Sequence, residues 1–244
     1  MRAKIINLGK RCNNNCFFCF NRGKEFEEDF KKLSGEISKG RRQGCEQIIF
    51  SGQEPTLYGK LEELVILARN AGYKAIQIVS NARMFFYKDF AERIIDAGMT
   101  ELLAPLHSHQ ERTHDRTTGV SGSFAQAVGG LLNVRELSES RFPYKGVSVS
   151  LGTVVTRENV EELASIVRFC QKLKIKQLFF IKENFLKEEI AAPVFLKHLK
   201  EASEAARKAG LRLFTSGYGR EELGKLAEIR YEDRIAGGKV IKPL

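Results

Sequence analysis

The chain has 244 residues, 43% hydrophobic and 29% charged, a globular balance that excludes disordered and fibrous classes. No apolar run approaches the ~18 residues needed to span a bilayer, and no secretory signal pattern opens the chain. A soluble, cytoplasmic protein with no membrane partner is therefore expected. Lys and Arg outnumber Asp and Glu by 40 to 30, a net charge of +10, which leaves nucleic acid open as a partner. That excess sits mostly at the two ends of the chain, so it identifies no particular surface. Five cysteines are an odd number, and three of them, Cys12, Cys16 and Cys19, crowd one short stretch. This argues against a simple disulfide framework and for a metal or cluster in a reducing compartment.

Along the chain, short aliphatic runs alternate with stretches of helical period. A strand is predicted at Ala3–Leu8, then a helix with the stripe Phe26, Phe30, Leu33 and Ile37. A second strand, Gln47–Ser51, is followed by a helix with Leu61, Leu64, Val65 and Ala68 inward. The third strand, Ala75–Ser80, leads to a helix on Phe90, Ile94 and Ala97, closed by Gly98. After Glu101–Leu106, a hydroxyl among Ser121–Ser123 caps the run Phe124–Leu137. Val147–Val155 precedes a helix that starts at Asn159 and turns Leu163, Ile166, Val167 and Cys170 inward. Gln177–Ile181 is the sixth strand, and the next helix carries Pro193 in its first turn and ends at Gly210. Leu211–Thr215 is expected as a seventh, poorly paired strand, and Gly217–Leu244 as a short helix and tail. Six strand–helix repeats with strands apolar on both faces define an α/β fold with a parallel sheet under helices, curled into a barrel or doubly wound. One domain is expected.

The segment Arg11-Cys12-Asn13-Asn14-Asn15-Cys16-Phe17-Phe18-Cys19 follows the first strand. In a parallel α/β fold that loop lies at the C-terminal edge of the sheet, where ligands bind. Asparagines tolerate left-handed backbone angles, which would let a short loop wrap its thiols around one centre. Three soft thiolates suit iron–sulfur or zinc. A structural zinc site takes four protein ligands, and no fourth stands nearby. Cys45 precedes the second strand and Cys170 lies on a helix's inner face, both expected as small apolar fillers. Three ligands leave one iron of a [4Fe–4S] cluster open to a small molecule.

Cys-x3-Cys-x2-Cys after the first strand, with an aromatic before the last Cys, resembles the radical S-adenosylmethionine superfamily. Further motifs follow in order. Ser51-Gly52-Gln53-Glu54-Pro55-Thr56 resembles the family's Gly-Gly-Glu-Pro segment, and Ser80-Asn81-Ala82 its Thr-Asn-Gly. Leu106-His107-Ser108, His114-Asp115, Gly122-Ser123-Phe124 and Asn133 are similar to the stretch after the fourth strand in peptide-modifying and molybdopterin-type members. Val154-Val155-Thr156 with Asn159 fits the fifth-strand exit.

The resemblance implies a partial (β/α)6 TIM-like barrel over residues 1–215, with 216–244 as a C-terminal extension of the same domain. It implies one [4Fe–4S] cluster on Cys12, Cys16 and Cys19, with S-adenosylmethionine chelating the open iron and giving a 5'-deoxyadenosyl radical. For the cofactor it implies contacts from Phe18, Gly52, Gln53, Glu54, Ser80, Asn81, Ser150 and Ile181, with Glu54 accepting from the methionyl ammonium. Gln53 replaces the second Gly, so its turn must avoid left-handed angles. Pro105 stands where relatives place a ribose-contacting Ser, which moves that contact to His107. His109 and His114 are expected in a polar loop. With no cysteine after Cys170, a single cluster is expected, reduced by an external flavodoxin- or ferredoxin-like partner. The substrate is expected to be a peptide or small metabolite, the alternative being a nucleoside or RNA. From other classes, an electron carrier would need a fully ligated cluster and a zinc scaffold would hold one metal.

Overall fold

The computed structural model describes all residues except 20–21, 23–25, 141–145, 184–189, 220–222 and 224–244. In chain order its elements are β1 (Ala3–Asn7), α1 (Phe30–Arg42), β2 (Gln47–Ser51), α2 (Leu61–Asn70), β3 (Ala75–Val79), α3 (Lys88–Ala97) and β4 (Glu101–Pro105). There follow α4 (Glu111–Thr118), α5 (Ser123–Ser140), β5 (Ser148–Val155), α6 (Leu163–Lys172), β6 (Gln177–Lys182), α7 (Ala192–Lys208) and β7 (Arg212–Ser216). They form two compact units that interleave along the chain. The first holds Met1–Asn15, Asn21–Ala104 and Gly122–Val149, the second Cys16–Phe20, Pro105–Ser121 and Ser150–Leu244.

In the first unit β1, β2, β3 and β4 pair in chain order, every pair parallel. Parallel neighbours need a long crossover, which α1, α2 and α3 supply. Ile48, Phe50, Ile76, Ile78 and Leu102 are buried, as expected of strands covered on both faces. Asp29 caps α1, its carboxylate accepting the Lys32 N–H at 3.0 Å, and Leu33 and Ile37 are buried. Phe26 departs from the expected stripe: it precedes the helix and is 50% exposed. Its carbonyl accepts the Lys10 N–H at 2.5 Å, and Glu27 bridges Gly9 in antiparallel fashion. That extended pairing, followed by the Asp29 cap, keeps Phe26 out of the helix.

Gly98 closes α3 with φ 127°, as its position predicts. On α5, Gly129 and Gly130 lie against the turn Met84–Phe86 that follows β3. A Cβ on Gly130 would strike the Ala82 carbonyl oxygen. Alanine raises helix propensity by about 1 kcal/mol over glycine, but overpacking against backbone costs ~1–3 kcal/mol or more. Gly130→Ala is therefore expected to lose about 2 kcal/mol net, read as a lower urea midpoint with an unchanged slope. A midpoint at or above the wild-type value would contradict this packing.

In the second unit β5, β6 and β7 pair in chain order, again parallel. The seventh strand is better formed than expected: it pairs in register from Gln177–Arg212 to Ile181–Ser216. Leu163, Ile166, Val167 and Cys170 of α6 are buried as their spacing predicts. Burial pushes the Cys170 thiol up to about 12, so it stays protonated. Pro193 lies in the first turn of α7. Of the extension expected over 216–244, only 216–219 and 223 are described. Within it, Tyr218 stacks on Phe195 of α7, ring centroids 4.3 Å apart. The proposed tail beyond it lies outside the described residues.

Helix α4 was absent from the expected elements. Its sequence, ERTHDRTT, carries no apolar stripe, and it buries His114, Thr117 and Thr118 instead. Gly119 ends it in the left-handed region at φ 67°.

Candidate cofactor site

In the first unit the exit of β2 lies beside the cysteine loop. Gly52 takes φ 134°, and a Cβ there would come within 2.8 Å of the Gly9 carbonyl oxygen. This close approach calls for glycine, while Gln53 stays outside the positive-φ residues as expected. The backbone N–H groups of Gln53 and Glu54 donate to the carbonyls of Gly9 (3.3 Å) and Arg11 (3.0 Å).

Glu54 is only 3% exposed. Its Oε1 accepts from the Thr56 N–H (3.0 Å), the Thr56 hydroxyl (2.5 Å) and the Ser80 hydroxyl (2.8 Å). Its Oε2 accepts from the Asn81 N–H at 2.7 Å. Burial pushes this carboxyl above its usual range, and the bonds from Thr56, Asn81 and Ser80 oppose that shift. Oε1 is filled by protein donors, so further acceptor capacity resides on Oε2.

Asn81 carries the network to the cysteines. Its Nδ2 donates to Asn13 Oδ1 at 2.6 Å, and its Oδ1 accepts the Arg83 N–H at 3.0 Å. The Arg83 guanidinium then donates to the Asn13 carbonyl, to Asn14 Oδ1 (2.8 Å) and to Gln126 Oε1 of α5 (2.7 Å). Asn14 N–H points at Cys12 Sγ, 3.3 Å away. Arg83 is the site residue that sequence reasoning missed, because a single Arg after a strand carries no pattern. The asparagines were expected to supply left-handed backbone, yet among the described non-glycine residues only Ala82 and Lys174 have positive φ. Asn13, Asn14 and Asn15 act as side-chain acceptors instead, Asn15 Oδ1 taking Arg22 Nε at 2.5 Å. Ala82, at φ 63°, takes a left-handed angle that glycine adopts more readily.

In the second unit Cys16 and Cys19 are half-buried on a turn closed by Cys19 N–H to Cys16 O at 3.1 Å. The Phe17 N–H donates to the Thr117 carbonyl of α4 at 3.2 Å. The Phe18 ring meets His107 edge-on, with centroids 5.1 Å apart and planes at 82°. His107 is 3% exposed and stacks on His114 at 5.7 Å. Its backbone is held at both ends: its N–H donates to His114 Nδ1 (3.2 Å), and its carbonyl accepts from Asn159 Nδ2 (2.8 Å). Its own Nδ1 is buried with no hydrogen-bond partner among the described residues. The expected polar loop is thus corrected for His114, which is buried on a helix. His109 is half-buried and faces Glu162 at 3.2 Å, beside Thr113 and Ser108 hydroxyls on the same carboxylate.

The site residues expected from the sequence thus fall into two groups. Gly52, Gln53, Glu54, Ser80 and Asn81 lie in the first unit, where Glu54 binds Ser80 and Asn81 and Asn81 binds Asn13, and Phe18 and His107 meet in the second. Ser150 is buried on β5 and Ile181 half-buried on β6, and neither joins the ring contacts of His107 among the described residues.

Burial, with His114 adding to it, pulls His107 down to about 3. A histidine whose folded value lies below its unfolded ~6.5 is protonated more readily in the unfolded chain. Stability is therefore whole above pH ~6.5 and falls as pH drops toward 3, by on the order of 4 kcal/mol at 1.36 kcal/mol per unit. His107→Phe keeps a ring in place and removes the titration. Its stability is expected to fall less steeply than wild type between pH 6 and 4 in urea unfolding, and equal slopes would reject this account.

Cys12 is exposed and Cys16 and Cys19 are half-buried, three soft donors close in sequence, of the chemistry that suits an iron–sulfur cluster. Among the described residues no three His, Cys, Asp or Glu side chains converge on a single-ion site. In the second unit His107 Nδ1, buried and unpartnered among the described residues, is a polar atom of the kind a small cofactor uses.

A parallel α/β scaffold with a thiol loop and a buried polar network at its strand ends defines a cofactor-dependent enzyme class. The chain belongs to the radical SAM superfamily, which it matches over residues 6–170. Enzymes of that family use S-adenosylmethionine and a [4Fe–4S] cluster. Among curated relatives, "Fe-coproporphyrin III synthase" of Methanosarcina barkeri is 29% identical over 180 residues, 72% of this chain and 42% of that protein. "Probable GTP 3',8-cyclase" of Saccharolobus solfataricus is 30% identical over 182 residues, 72% of this chain and 55% of that protein. The chain thus spans about half the length of these relatives. Among solved structures, Streptococcus suis SuiB bound to S-adenosylmethionine superposes with a TM-score of 0.71 at 16% identity, covering 89% of this chain and 47% of SuiB. The native anSMEcpe with bound AdoMet and Kp18Cys peptide superposes with a TM-score of 0.69 at 17% identity, covering 86% and 62%. The fold is α/β, that of a partial TIM-like barrel, with seven strands among the described residues, the seventh of them fully paired. No described helix is long and apolar enough to cross a membrane.

Proposed function

We infer that Cys12, Cys16 and Cys19 ligate one [4Fe–4S] cluster, and that this radical SAM enzyme acts on a peptide or small metabolite. The observation that carries the reading is the bond from Asn81 to Asn13 at 2.6 Å, which ties the buried Glu54–Ser80–Asn81 network to the cysteine loop. When bound, the reduced cluster and S-adenosylmethionine supply a 5'-deoxyadenosyl radical that removes a hydrogen atom from the substrate. The residues of the chain hold and orient. Glu54 Oε2 would accept from the methionyl ammonium, and the Gly52–Gln53 backbone would contribute to holding the cofactor. Phe18 would help hold the adenine, and the neutral His107 would offer its buried Nδ1 to the ribose. Ser80 and Ser150 would contribute polar contacts, and the backbone of Ile181 would help hold the adenine.

An external one-electron reductant of the flavodoxin or ferredoxin kind serves the cluster, and a reducing cytoplasm keeps the three thiols available. The peptide bound in anSMEcpe supports a peptide substrate. A second reading, a nucleoside substrate, is favoured by the relatives named GTP 3',8-cyclase. Anaerobic reconstitution, then dithionite and S-adenosylmethionine, is expected to give about four irons per chain and release of 5'-deoxyadenosine. A peptide library and GTP are then added in separate reactions, and faster release with one of them identifies the class. No 5'-deoxyadenosine above a cluster-free control would defeat the radical reading.

A further inference from the structure

The Arg83 side chain does more than fill the turn after β3. Its guanidinium makes hydrogen bonds in three directions, to the Asn13 carbonyl, Asn14 Oδ1 and Gln126 Oε1, while its backbone N–H is bound by Asn81. Two of the three acceptors belong to the residues that directly follow Cys12. Asn14 in turn presents its backbone N–H to Cys12 Sγ at 3.3 Å. Arg83 thereby fixes both the path of the loop after Cys12 and the donor aimed at its sulfur. Cys12 itself is exposed, so a short exposed loop depends on contacts from elsewhere for its conformation. Arginine suits this task because its planar fork offers donors in fixed, separate directions, which a lysine ammonium does not reproduce.

We propose that Arg83 is a positioning residue that straps the Cys12 loop, holds the Asn14 N–H on the Cys12 sulfur, and so raises the reduction potential of the cluster. The proposal rests on Cys12 being a cluster ligand. A hydrogen bond to a ligand sulfur stabilises the more electron-rich, reduced state, and fixed positive charge nearby acts in the same direction. Losing the strap makes reduction harder. Gln126 steers the guanidinium from α5 and acts through Arg83 alone.

The test uses reconstituted full-length protein, with iron per chain and a redox titration followed by the electron paramagnetic resonance signal of the reduced cluster. Arg83→Met is expected to raise the ratio of oxidised to reduced cluster about tenfold at a fixed potential, ~59 mV for one electron. Arg83→Lys is expected to shift in the same direction, because the fork and not the charge alone holds Asn14. Gln126→Ala, which leaves Arg83 and the cysteine loop intact, is expected to give a smaller shift of the same sign. It decides the question if the Arg83 variants do not fold. Wild-type protein that takes up no cluster would defeat the assignment of Cys12 as ligand. Wild-type protein with a cluster, and Arg83→Lys and Gln126→Ala variants with unchanged potential and iron content, would overturn the strap alone.

Discussion

Cys12→Ala, Cys16→Ala and Cys19→Ala are each expected to lower 5'-deoxyadenosine release by more than ~100-fold. Removing an outer partner of a metal ligand already costs ~10–100-fold, and removing the ligand exceeds that. The remaining cysteines cannot substitute. Cys45 and Cys170 are buried, and burial holds the Cys170 thiol near 12, protonated and a poor iron ligand. Cys170→Ala should therefore keep both iron and activity while losing some core packing. Iron content and chromatographic 5'-deoxyadenosine measure both arms. A triplet variant with wild-type iron and turnover would overturn the ligand assignment, as would a Cys170→Ala protein that loses its cluster without unfolding.

Replacing Glu54 with alanine is expected to destabilise the protein by about 4 kcal/mol. The substitution strands four donors that now end on one carboxylate: the Thr56 N–H and hydroxyl, the Ser80 hydroxyl and the Asn81 N–H. A buried donor left unpaired costs ~1–3 kcal/mol, and partial rearrangement keeps the sum below four full penalties. Against a typical total of ~5–15 kcal/mol, that is a severe loss. Glu54→Gln keeps one oxygen for three of these donors but sets an amide N–H2 against the Asn81 N–H, and about 1–3 kcal/mol is expected. The pH dependence separates charge from shape. Since burial raises the Glu54 carboxyl above 4.5, the folded state holds its proton longer than the unfolded chain. Its contribution is whole below the unfolded value and is lost as pH rises through the folded value. Glu54→Gln should remove this decline in urea unfolding across the acid range. A variant as stable as wild type with the same pH slope would show that the carboxylate carries no such role.

Much of the scaffold was legible because its burial pattern is simple. The residues of β2 and the inward face of α6 matched their predicted spans, since strands covered on both faces are continuously apolar and helices repeat at 3.6 residues. Where polar contacts decide local structure, the pattern fails. The Phe26 stripe looked helical, yet the Gly9–Glu27 bridge and the Asp29 cap govern that segment. Helix α4 escaped because its buried face consists of His114, Thr117 and Thr118. β7 looked poorly paired, but its hydrogen bonds come from a neighbour at a separation no local window covers.

The candidate site divides in the same way. Cysteine spacing, and the order of Glu54, Ser80, Asn81 and His107 at strand ends, stand in the sequence by itself, because residue type and interval need no tertiary contact to be read. Partnership does not. That Glu54 gathers four donors, that His107 is clamped by His114 and Asn159, and that Arg83 binds the asparagines after Cys12 were decided only by the tertiary structure. Hydrogen bonds join residues about 70 positions apart, as between Arg83 and Asn13, and such directional contacts leave no periodic trace along the chain. The class of chemistry is therefore written in residue identity, and the tuning of it in geometry.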